Sequence, residues 1–225
     1  MNKFKIGGFL YIMKKFKIKY VLILLILFTL YLFVCAYSYV NAVSTHISDS
    51  VFRLHVIANS DSNQDQELKY VVRDNLLKYM NSITKDYSSK QDIIRVANEN
   101  IDTFYSIAKQ TILDSGFDYD VNIEIGNFYF PTKNYGDISL PSGNYDSLKI
   151  EIGKASGQNW WCVMFPPLCF VDVSSGIVPE ESKQIIQNNL SEEEYTLVSE
   201  NNSEVKFKFK LVEWFQNNIF TANNK

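Results

Sequence analysis

The sequence predicts an α+β protein, in which an N-terminal signal or transmembrane helix precedes a single exported domain with a mixed β-sheet, two long helices and shorter ones. Three observations carry that expectation. Tyr20 to Val40 runs without one charged side chain. Between residues 63 and 116, apolar side chains recur with the 3.6-residue period of helices. From residue 119 onward the recurrence changes to every second residue, the period of a half-buried strand.

The N-terminal element is set apart by charge. Residues 1–42 hold six lysines (Lys3, Lys5, Lys14, Lys15, Lys17 and Lys19) and no acidic residue. The apolar run behind them would reach about 30 Å as a helix, the thickness of a bilayer's hydrocarbon core. Cations stay on the cytoplasmic side. Residues 1–42 are therefore expected to be a cytoplasmic basic tail with a signal peptide or membrane anchor, and residues 43–225 an extracytoplasmic domain. Val40-Asn41-Ala42 and Ala36-Tyr37-Ser38 offer small residues for a signal cleavage site, while the length of the run suits an anchor; both fates stay open. Cys35 follows branched Val34, where a lipid-attachment cysteine would follow a small residue.

Charge also bounds the partners. The chain has 22 basic and 25 acidic residues; without the six N-terminal lysines, 16 stand against 25, a net of about −9 for the exported part. Such a surface repels phosphate backbones and anionic headgroups, which argues against nucleic acid and against docking on a lipid surface.

Taken in order, residues 43–50 read as a polar spacer, and Val51–Ala58 as a strand. Phe52, Leu54, Val56 and Ala58 form its apolar side, with Arg53 and His55 on the other. Asn59-Ser60-Asp61-Ser62 is a turn in which Ser62 caps a helix over about 63–81 with the stripe Leu68, Val71, Val72, Leu76 and Met80. Asp65 with Lys69, and Asp74 with Lys78, have the spacing of exposed ion pairs. A second helix runs from Ser89, capped with the help of Asp92, through Ile94, Ala97, Ile101, Phe104, Tyr105, Ala108 and Ile112 to Gly116. Residues 119–125 and 127–132 read as two strands turning at Gly126, and residues 144–152 as another, after a loop holding Gly136 and Pro141. Residues 160–165 and 168–173 flank Pro166-Pro167. A short helix begins at Pro179-Glu180, residues 205–211 alternate as a strand, and 214–220 form a helical tail.

Chemistry is sparse. The exported part has only His46 and His55, which leaves too few ligands for a zinc site. Asp61 to Asp65 imitates the opening of a calcium loop, but Gln66 stands where glycine is needed and Val72 where a glutamate is needed. No metal and no cofactor are expected. His55 reads as a structural histidine or a base. Cys162 and Cys169 read as a disulfide across the proline turn, as inert thiols, or, for Cys162 with His55, as a nucleophilic pair. The aromatic stretch 159–172, NWWCVMFPPLCFVD, is either a core hairpin or a rigid anchor for a partner, and the polar loop 131–145 is a candidate for recognition.

Three segments resemble the stage II sporulation protein R family: RLHVIANSDS from Arg53 with Asp65, Gln66, Lys69, Arg73 and Asp74; PTKNYG from Pro131 with LPSGNY from Leu140; and GQNWWCVMFPPLCF from Gly157. The resemblance implies a non-enzymatic signal, made in the forespore and exported into the space between the sporulation membranes. It would there activate a membrane-embedded aspartic protease of the mother cell, which removes the pro-sequence of sigma-E. It implies no small-molecule substrate. The chain is read as ligand rather than protease on the expectation that it lacks the Asp-Thr/Ser-Gly pattern of aspartic proteases. Arg53, His55, Asn59, Ser60, Asp61, Ser62, Tyr135, Tyr145, Trp160 and Trp161 are the expected partner-binding residues. The rival readings are a structural envelope protein and a hydrolase using Cys162 and His55.

Overall fold

The computed structural model describes residues 3–169 and 178–199, with side chains from residue 18 onward. The expected strand over 205–211, the tail helix and the part of the aromatic stretch beyond Cys169 lie outside the described residues. The chain divides into two compact units, residues 1–43 and 44–225. The first consists of helix α1, Lys3–Ser50, whose last residues belong to the second unit. Within 18–49 its mean hydropathy reaches 2.6, and none of that apolar window is buried, so it is long and apolar enough to cross a membrane. Its side chains from Ile18 to Val34 are exposed.

Residues 43–50 are not the expected spacer; they continue the helix. Ile47 is fully buried, and Ser44 and Ser48 nearly so. Ser44 Oγ donates to the Ser142 carbonyl, and Lys90 Nζ donates to the Ser48 carbonyl while pairing with Asp146 at 2.8 Å. This stretch is a docked part of the second unit because its polar groups have partners there.

The second unit is an α+β domain. Strand β1, Phe52–Ile57, is followed by helices α2, Asn63–Ile83, α3, Lys90–Glu99, and α4, Ile101–Asp114. Strand β2, Val121–Phe130, leads to the small hairpin β3, Lys133–Tyr135, and β4, Ile138–Leu140. Strands β5, Gly143–Ile152, and β6, Asn159–Phe165, precede helices α5, Glu180–Asn189, and α6, Glu192–Ser199. The main sheet runs β2-β5-β1-β6; β1 is parallel to β5 and antiparallel to β6, and β2 is antiparallel to β5.

Alternation gives this sheet two chemically different faces. Phe52, Leu54 and Val56, with Leu148, Ile150, Ile152, Cys162 and Met164, pack against Leu68, Val72, Leu76, Ala97, Phe104, Ala108 and Ile112 of the helices. Ser62 caps α2 through Asp65 N, and Ser89 caps α3 through Asp92 N. Val71 and Tyr105 are exposed, and Leu77 and Ile93 are buried in their place. The second long helix breaks at Asn100, whose side chain donates to the Val96 carbonyl and accepts from Tyr79 Oη. An asparagine that bonds the backbone competes with the helical ladder, so two helices meet there. Gly116 stands at φ 84°, the left-handed end expected of it.

Three further expectations fail. Gly126 lies inside a continuous ten-residue β2, because the register with β5 runs unbroken through it, opposite Ser147. Asp65 and Lys69 are almost fully buried and do not pair with each other: Asp65 accepts from Asn59 and Ser60, and Lys69 donates to Gln66 and the Gln158 carbonyl. Asp74 pairs with Arg73 rather than Lys78.

Candidate functional site

The other face of the sheet carries no helix from α2–α4 and gathers most of the chemistry. Register places Arg53 and His55 of β1 beside Ser147 and Lys149 of β5, and beside Val163 and Trp161 of β6. Glu124, Phe128 and Phe130 of β2 lie on the same side, with Glu151 and Asn122 at the open end. The β3–β4 hairpin covers one part of this face through Tyr135, and Asp137 at its turn pairs with Lys183 of α5 and accepts from Val178 N.

Arg53 is not the surface cation the strand pattern suggests. It is 0% exposed, with its Cζ 4.1 Å from the Phe130 ring centre, 4.6 Å from Tyr145 and 5.8 Å from Tyr135. Its Nη2 donates to Tyr135 Oη at 2.6 Å, while Nε and Nη1 have no hydrogen-bond partner. Aromatic faces attract a cation through their quadrupoles, which offsets part of the cost of burying it. Tyr145 is fully buried too, donating to the Pro141 carbonyl, and burial pushes its hydroxyl far above the usual phenol range.

His55 bridges the covered and open parts. Its ring stacks on Trp161 and meets Phe130 edge-on, both at 5.7 Å, and Nε2 bonds Asn159 Oδ1 at 2.7 Å. Nδ1 has no partner. Burial lowers its pKa below the ordinary histidine value, and the Asn159 bond only partly opposes that. At the open end Lys149 joins Glu124 at 3.1 Å and Glu151 at 2.8 Å.

Asn59 to Ser62 bond mainly to the fold itself. Asn59 Oδ1 accepts from Lys154 N, the Asn59 carbonyl accepts from Ser156, and Asp61 Oδ1 accepts from Gln158 N. Asn59 Nδ2 and Ser60 Oγ both donate to Asp65 Oδ2. The motif latches the β1–α2 turn to the β5–β6 connection. Two glycines make room for it: a Cβ at Gly153 or Gly157 would come within 3.0 Å of Asn59 or of the Ser60 backbone.

The two tryptophans part company. Trp161 lies on the Arg53 side, whereas Trp160 turns to the helix side, 4.3 Å from the Arg73 guanidinium and edge-on to Tyr70. Cys162 also faces the helices, joined to Cys169 in a disulfide with Cα atoms 5.0 Å apart. Cys162 and His55 therefore lie on opposite faces and cannot form a thiolate–imidazole pair. Among the described residues, no three His, Cys, Asp or Glu side chains cluster as metal ligands.

The segment that supplies all four strands of the sheet also decides the kinship. The family model described as Stage II sporulation protein R matches residues 48–175. The chain is 35% identical over 181 residues to Stage II sporulation protein R of Bacillus subtilis (strain 168), an alignment covering 75% of this chain and 81% of that one. The chain belongs to the stage II sporulation protein R family. No solved structure matches it.

For a member of this sporulation family, the expected partner-binding residues divide three ways. Arg53, His55, Tyr135, Tyr145 and Trp161 come together on the face opposite α2–α4, Asn59 to Ser62 form a latch, and Trp160 packs on α2. Lys133 was missed: its Nζ lies 4.3 Å from the Trp161 ring centre, on the hairpin beside Arg53. A lysine in a polar loop gives no sequence signal of that contact. One sequence expectation is wrong by letter, since Asp114-Ser115-Gly116 does spell Asp-Ser-Gly. That triplet is the end of α4, with Asp114 accepting from Gln110 and Gly116 in the left-handed region.

Proposed function

We propose that this protein is an exported sporulation signal, a ligand that activates a membrane-embedded aspartic protease and so triggers maturation of pro-sigma-E. Family membership over the whole sheet is the observation that carries this reading. The apolar run of α1, with six lysines before it in the same helix, supports passage of the domain across the forespore membrane, with the domain in the intermembrane space either anchored or released. The face opposite α2–α4 supplies rigid aromatic anchors of the kind that dominate protein recognition.

In this mechanism the domain performs no bond chemistry. Its face around His55, Tyr135 and Trp161 docks on the extracytoplasmic part of the protease, above the buried Arg53 and Tyr145, while the Asn59–Ser62 latch fixes the strand ends that present it. Docking activates only if this face binds the active state of the protease more tightly than the inactive one. Co-expression in a non-sporulating host with the membrane protease and tagged pro-sigma-E tests the reading. Pro-sequence removal should require this chain and should disappear when residues 20–40 are deleted. Processing without the chain, or undiminished by that deletion, would contradict it.

A further inference from the structure

Five unpartnered side-chain atoms crowd the covered part of the face opposite α2–α4. They are Nε and Nη1 of Arg53, Nδ1 of His55, Oγ of Ser147 and Nε1 of Trp161, all buried. Ser147 is the register neighbour of Arg53 on β5, and Trp161 that of His55 on β6. Nε and Nη1 of Arg53, Oγ of Ser147 and Nε1 of Trp161 can each donate a hydrogen bond, whereas Nδ1 of His55 is the lone-pair nitrogen while Nε2–H bonds Asn159 Oδ1. The one bond Arg53 makes is to a neutral phenol oxygen, and no carboxylate pairs with it or with Lys133 among the described residues. Lys133 rests on the Trp161 ring, and burial, followed by the charge of Arg53, holds its pKa below the usual lysine range. Two cations are thus packed together in a domain whose net charge is negative, and Nε and Nη1 of Arg53, Oγ of Ser147 and Nε1 of Trp161 are donors without an acceptor. A buried donor left unmade is costly, and a buried cation without a counter-charge more so.

We infer that this cluster is the receptor for a single carboxylate, an Asp or Glu side chain carried on an apolar segment of a partner protein. It enters over the half-exposed rim of Tyr135, Lys133 and Trp161 and takes the place of the Tyr135 hydroxyl on Arg53. The surroundings favour one negative charge over a polyanion. Phe130, Tyr135, Tyr145 and Trp161 supply apolar walls, and Glu124 and Glu151 at the open end of the same face repel a phosphate or an anionic lipid surface. The inference deepens the proposed function, since it rests on the domain being a ligand for another protein and names the chemistry of the contact.

The test uses the full chain in detergent micelles and two fluorescein-labelled peptides, Ala-Tyr-Glu-Leu-Ala and Ala-Tyr-Gln-Leu-Ala, both blocked at their ends. The glutamate peptide should bind about tenfold or more tightly than its amide twin, as a charged hydrogen bond predicts. Arg53→Met and Lys133→Gln, checked for folding by thermal melting, should lose that preference. Tyr135→Phe keeps the ring but removes the competing hydroxyl, so it should bind the glutamate peptide more tightly. Equal binding of the two peptides, a preference that survives Arg53→Met, or competition by inorganic phosphate or phosphatidylglycerol vesicles as strong as by unlabelled peptide would overturn the inference. The assay contains no protease. A failure here leaves the activator reading standing, and a failure of pro-sigma-E processing with peptide preference intact falls on that reading alone.

Discussion

Arg53 occupies a position that strand alternation assigns to the polar side, yet its guanidinium is sealed beneath three aromatic rings. Alternation specifies a face, and it says nothing of what later folds over that face. Here the hairpin carrying Tyr135 does so. Exchanging a buried ion for an apolar chain of similar size is often mild, whereas truncation leaves a cavity. Arg53→Met should therefore cost about 1.5 kcal/mol or less, and Arg53→Ala about 2–4 kcal/mol, both read from urea unfolding. His55 adds a pH dependence. Its folded pKa is lowered, so the unfolded state binds the proton more readily. Its contribution is complete above the ordinary histidine value of about 6.5. It is lost as pH falls from there toward the lowered folded value. His55→Gln should flatten that part of the stability profile; a curve that keeps its slope would show that another group carries it.

At the scale of elements, much was legible. Capping serines at 62 and 89, the apolar alternation of β1 and the glycine ending α4 each have a local cause, and local causes are written in sequence. What failed depended on partners far along the chain. Gly126 reads as a turn until β5 pairs across it. Residues 43–50 read as a spacer until Ser142 and Lys90 hold them. The polar run Asn59–Ser62 read as a contact surface because its hydrogen-bond partners, residues 154–158, lie about a hundred positions away. That latch yields a sharp expectation. Gly157→Ala places a methyl against the Ser60 backbone, which cannot move aside cheaply, and should cost about 2 kcal/mol or more. A thermal melt unchanged from the parent would show that the latch carries little of the stability. The Cys162–Cys169 bridge closes a short loop, seven residues apart, so replacing both with alanine should cost about 2.5 kcal/mol on the chain-entropy account. A reductant should lower the parent's melting temperature and leave the double variant's unchanged.

For the whole molecule, the sequence indicated a segment long and apolar enough to cross a membrane, the α+β class and the family. It did not reveal that the residues divide between two sheet faces, because Trp160 and Trp161 are neighbours in the chain and opposites in space. In the proposed mechanism signalling belongs to the face opposite α2–α4 and structural support to the face those helices cover. The most direct measurement is pro-sigma-E processing, in co-expression with the membrane protease, by two variants shown to be folded and exported: Trp161→Ala on the face opposite α2–α4 and Tyr70→Ala on the exposed side of α2. Trp161→Ala should lose processing while Tyr70→Ala retains it. Full processing by Trp161→Ala, with loss in Tyr70→Ala, would place the contact on the helices and contradict it.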